Sequence, residues 1–84
     1  MYVTVEEVTI LNVWEESFKD RETGEEVKYY RALLSKPGEA PAQLAVAESD
    51  FETLKDYIGV TGNMTLEIDA QPGRRVRVRL RGVA

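Results

Sequence analysis

Arginine recurs at every second position from Arg75 to Arg81, interleaved with Val76, Val78 and Leu80, and no acid interrupts the run. Planar guanidinium groups on one face of a strand suit phosphate oxygens and base edges better than lysines do. A second set of residues, Trp14, Phe18, Tyr29 and Tyr30, offers flat aromatic surfaces on which bases can stack. Other chemistry is scarce. The chain has no histidine and no cysteine, which removes the commonest general base, thiolate nucleophiles, disulfides and most transition-metal sites. The acidic doublets Glu6-Glu7, Glu15-Glu16 and Glu25-Glu26 do not make a catalytic pair, because adjacent residues on a strand point to opposite faces. They read as solvated charge that also discourages edge-to-edge aggregation. No enzyme, cofactor or metal is expected.

The net charge of −4 conceals an uneven distribution. Residues 1 to 27 hold eight acids against two bases, whereas residues 28 to 84 hold nine bases against seven acids. A local positive field can attract a polyanion that the average charge repels.

Positioning these residues requires strands. Residues 2–14 alternate apolar and polar, with a break in parity at Glu6-Glu7 that marks a bulged, curved strand. The break leaves Trp14 open between core and surface. Residues 15–26 are polar and read as a long exposed hairpin loop closed by Thr23-Gly24-Glu25. A second strand over 27–35 puts Tyr30, Ala32 and Leu34 on one face and Tyr29, Arg31 and Leu33 on the other. Tyr30 is assigned to the core and Tyr29 to the surface. A short third strand over 42–47 has small outward residues, Gln43, Ala45 and Ala47. Ser49-Asp50-Phe51-Glu52 has the form of a capping box, which predicts a helix over 49–58 with Phe51, Leu54, Tyr57 and Ile58 on its apolar side and Gly59 as its stop. Met64, Leu66 and Ile68, then Val76, Val78 and Leu80, form the last hairpin. Placing Ile68 opposite Val76 pairs Asp69 with Arg75 and Glu67 with Arg77, and leaves Arg79 and Arg81 without acids.

The order β-β-β-α-β-β, with its helix between the third and fourth strands, is that of the five-stranded OB-fold barrel, and one such domain fills residues 1–84. An SH3-like barrel would not place the helix there. Trp14 to Glu25 together with Lys28-Tyr29-Tyr30-Arg31 resembles the first hairpin of small OB-fold single-stranded DNA-binding proteins of phages, plasmids and other mobile elements. That resemblance implies binding of single-stranded DNA without strong sequence preference. The expected contacts are Trp14, Phe18 and Tyr29 to bases, and Arg31, Arg77, Arg79 and Arg81 to the backbone. RNA as the partner and assembly into a homodimer or higher homo-oligomer stay open. The competing expectation is a protein-protein interaction or oligomerisation OB domain that uses its acidic hairpin. The amino-terminal residues lack a basic lead and no run reaches membrane-spanning length, so a cytoplasmic location is expected.

Overall fold

A computed structural model describes residues 1–83. Alternating apolar residues build five strands, β1 (Tyr2–Lys19), β2 (Glu26–Ser35), β3 (Ala42–Val46), β4 (Thr61–Asp69) and β5 (Arg77–Val83), with α1 (Glu48–Lys55) between β3 and β4. They close in the order β1-β2-β3-β5-β4, with β3 and β5 parallel and the other neighbours antiparallel, which is the OB-type barrel.

The 18-residue β1 pairs with β4 through its first half and with β2 through its second, so it must bend around the barrel. Two bulges do this. At the first, between Val5 and Val8, Glu7 takes φ 57°, and the Lys36 ammonium donates to the Glu6 carbonyl at 2.5 Å. The second, at Leu11, resets the parity again, so that Ile10 and Val13 are both buried while Leu11 is exposed. This bulge turns Trp14 outward.

Beyond Trp14 the structure departs from the expected loop. β1 continues to Lys19 and β2 begins at Glu26, and Glu15 to Lys19 with Glu26 to Tyr29 form a two-stranded ribbon that leaves the barrel. Only the turn at residues 20–25 is loop. There the Asp20 carboxylate accepts from the amides of Glu22 and Thr23, at 2.8 and 3.3 Å, and Gly24 adopts φ 73°.

The core is Val8, Ile10, Val13, Ala32, Leu34, Val46, Leu54, Met64 and Leu80. Leu54 of α1 plugs one end of the barrel, and Phe51 lies on Tyr30 with ring centroids 4.4 Å apart. Tyr30 therefore packs against the core as expected. The capping box does not form. The helix starts at Glu48, its N-cap is Ala47, and no side chain caps it. Ser49 already stands within the helix, where it cannot adopt the extended backbone that a cap requires. Glu48 and Asp50 instead place negative charge near the helix amino terminus. The helix also ends earlier than expected, at Lys55. The chain then turns so that the Gly59 amide, at φ 88°, donates to the Ile10 carbonyl at 2.7 Å, and Tyr57 and Ile58 face solvent.

The last hairpin keeps its parity but not its register. Ile68 faces Val78, Asp69 faces Arg77, Glu67 faces Arg79 and Leu66 faces Leu80. The turn that begins with the Arg74 amide on the Gln71 carbonyl is followed by Arg75 and Val76 outside the strand, which shifts the pairs from Asp69–Arg77 to Leu66–Leu80 by two. An even shift preserves which side chains face inward. Leu80 stays buried, whereas Val76 is exposed. Arg81 falls at a further bulge, between the pairs Leu66–Leu80 and Thr65–Gly82.

Candidate nucleic-acid interface

Strand pairing sets one row of outward residues across the whole barrel wall. Trp14 of β1 faces Arg31 of β2, Arg31 faces Ala45 of β3, Ala45 faces Arg79 of β5 and Arg79 faces Glu67 of β4. A methyl group thus lies between two guanidinium groups, and the surface is low there. Two grooves meet over that point, one of about 650 Å³ and one of about 540 Å³, and Arg31, Ala45 and Arg79 line both.

The first groove runs toward the ribbon and takes in Phe18, Lys28, Tyr29 and Tyr30. Phe18, 53% exposed, lies 5.9 Å from the Tyr29 ring at an interplanar angle of 56°. The Arg31 guanidinium carbon stands 5.2 Å from the Tyr29 centroid, a cation–π contact that holds both groups at the groove floor. Glu16, opposite Tyr29, ties this end together. One of its oxygens accepts from Trp14 Nε1 at 2.8 Å, and the other lies 3.8 Å from Arg31 Nε, a charge contact longer than a hydrogen bond. The Trp14 hydrogen bond, then the Tyr29 hydroxyl and the Arg31 charge, hold the Glu16 carboxyl below the usual carboxylate range. The same neighbour pushes the Tyr29 hydroxyl up.

The second groove runs toward the β4–β5 hairpin and takes in Gln43, Arg75 and Arg77. A smaller hollow of about 260 Å³ at the hairpin tip is lined by Asp69, Gln71, Arg74, Arg75 and Arg77. Among the described residues, none of Arg74, Arg75 and Arg77 forms an ion pair.

The residues expected to bind are divided by this geometry. Phe18, Tyr29, Arg31 and Arg79 line the first groove, and Arg77 joins Arg31 and Arg79 in the second. Trp14 is half-buried behind them and reaches the site through Glu16. Arg81 is turned away toward the helix, with Nε 3.2 Å from an Asp50 oxygen and Nη1 3.5 Å from Glu67. That Asp50 oxygen is buried and has no hydrogen-bond partner, so its contact with Arg81 is one of charge and not of aligned donor and acceptor. Arg79 also meets Glu67, at 3.8 Å. The expectation that Arg79 and Arg81 lack acids is therefore overturned by the two-residue shift, which leaves Arg74, Arg75 and Arg77 as the hairpin arginines without an ion pair. Sequence reasoning also missed Glu16, read there as solvated charge, and Lys28, which pairs with Glu15 at 3.6 Å. The signal for Glu16 was its spacing: Trp14, Glu16 and Phe18 share one face of a strand once that strand is known to continue.

No described helix is long and apolar enough to cross a membrane, and no three acidic side chains converge among the described residues. The chain matches no family model, and comparison with curated proteins and with solved structures gave no match.

Proposed function

We propose that the two grooves form one path for single-stranded nucleic acid, DNA in preference, bound without strong sequence preference and without a cofactor. The observation that carries this reading is the row Trp14–Arg31–Ala45–Arg79. It joins an aromatic end to an arginine-rich end across a low, small-residue floor. A flexible single strand can follow such a path with bases on Phe18 and Tyr29 and phosphates along Arg79, Arg77 and the hairpin arginines. Stacking contributes about 1 to 3 kcal/mol per base and needs no particular base. A rigid duplex offers no free base faces to the ribbon end.

The ribbon favours a second reading. Its turn projects Asp20, Glu22, Glu25 and Glu26 beyond the barrel, an acidic surface that suits a basic protein or a second copy of this chain.

Titration of fluorescent oligothymidine and of a matched duplex, each at low and moderate salt, separates the two. Binding confined to the single strand and weakening with salt supports the groove reading. Absence of binding to either, with self-assembly in sedimentation, overturns it in favour of the ribbon.

A further inference from the structure

Within the nucleic-acid reading, on which this inference rests, we propose that Glu16 reads the Watson–Crick edge of one stacked base and favours guanine. The carboxylate lies in the outward row of β1 between Trp14 and Phe18, opposite Tyr29, beside the surfaces on which a base would rest. Its orientation is set by the Trp14 Nε1 hydrogen bond at 2.8 Å to one oxygen. The second oxygen lies 3.8 Å from Arg31 Nε and the carboxylate also meets the Tyr29 hydroxyl, but its two oxygens offer about four acceptor sites, which leaves lone pairs for a ligand, and the side chain is 38% exposed. Its neighbours favour the ionised form, which accepts hydrogen bonds and donates none.

Single-stranded bases are read on their exposed edges. Guanine presents two adjacent donors there, N1–H and the N2 amine, which match the two oxygens of a carboxylate. Cytosine and adenine present one amine next to a ring-nitrogen lone pair, and thymine presents one N–H between two carbonyl oxygens. Those lone pairs oppose a carboxylate. A group that only neutralised Arg31 would not discriminate among bases.

The test compares binding of oligothymidine with the same strand carrying isolated guanines, or isolated hypoxanthines that lack the N2 amine. The unmodified protein should bind the guanine strand about fivefold more tightly than oligothymidine, the lower end of what a bidentate base contact supplies, with the hypoxanthine strand between them. Glu16→Gln and Glu16→Ala should lose the guanine advantage, read as the ratio of guanine-strand to oligothymidine affinity within each variant, so that any change in overall affinity from loosening Trp14 or Arg31 cancels. Thermal denaturation of each variant checks folding. Equal affinity of the parent for thymine and guanine strands, or an undiminished guanine advantage in both variants, overturns the role of Glu16 and leaves the groove reading standing. No binding to any strand overturns both.

Discussion

The two ends of the groove handle charge in opposite ways. At the ribbon end the β2 cations that line the groove each have a carboxylate, Arg31 with Glu16 and Lys28 with Glu15, and the aromatic rings supply the contact surface. At the hairpin end Arg74, Arg75 and Arg77 form no ion pair among the described residues, although Asp69 faces Arg77 and shares their hollow, and no aromatic residue lies near them in the chain. A protein with a net charge of −4 thus gathers three arginines without ion pairs around one hairpin tip. The division assigns two forces to two places, a salt-sensitive attraction at the hairpin and a salt-insensitive stacking at the ribbon.

The largest effect should come from the hairpin. Changing Arg74, Arg75 and Arg77 together to glutamine removes up to three phosphate contacts. The slope of log affinity against log salt should then fall by about 2, and affinity for oligothymidine near ~0.1 M salt should drop roughly a hundredfold. Titration at several salt concentrations measures both. An unchanged slope would mean that the strand does not reach the hairpin. Next in size are Tyr29→Ala and Phe18→Ala, each expected to weaken binding by about 1 to 3 kcal/mol with the slope intact. A change in slope on losing either ring would contradict the separation of forces.

The different legibility of the two ends in the sequence has a physical cause. Barrel strands announce themselves because one face must be buried, and the alternation of Met64, Leu66 and Ile68 or of Leu44 and Val46 records that requirement. The order of elements, the lone helix and the bulge at Glu6-Glu7 were readable on these grounds, whereas Gly59, expected to stop the helix, lies four residues beyond its end at Lys55. The ribbon was not. Glu15 to Lys19 pair only with β2 and have no core to face, so they carry no alternation and look like a loop. The bulge at Leu11 was hidden because a leucine there reads as one more core residue. The register of β4 with β5 was undetermined for a different reason: a shift by two keeps every apolar side chain inward and leaves only the turn length to decide. Arginine partners depend on that choice, so the identity of the unneutralised cations could not be read from the sequence.

Arg81 sharpens the contrast from within β5. It is spent on Asp50 of α1 and on Glu67, which fastens the helix to the barrel wall. Arg81→Gln should therefore leave the salt slope of binding close to that of the parent. Its effect should fall on stability, within about 1 kcal/mol for a partly exposed pair, or a few degrees in Tm for a domain of this size. Calorimetry and a salt titration on the same variant distinguish the roles. A fall in slope as large as that from a hairpin arginine would return Arg81 to the binding path.

The smallest effect concerns acid, and its sign follows from Glu16. The folded protein holds this carboxyl below its ordinary value of 4.5, through the Trp14 hydrogen bond first and then Tyr29 and Arg31. A group whose pKa is lowered on folding stabilises the fold above its unfolded pKa and loses that contribution as pH falls through its folded pKa. The difference in Tm between the parent and Glu16→Gln should thus be constant near neutrality and should shrink as pH drops below 4.5. The site is open to solvent, so the change is small, and salt should reduce the part due to Arg31 more than the part due to the Trp14 hydrogen bond. Trp14 fluorescence gives an independent reading, since protonation weakens its only side-chain acceptor. A transition in that fluorescence below the ordinary carboxylate range, present in the parent and absent from Glu16→Gln, is the expected outcome. A transition of the same midpoint in both proteins would mean that another acid governs the ribbon, and that Trp14 and Arg31 are not held in place by Glu16.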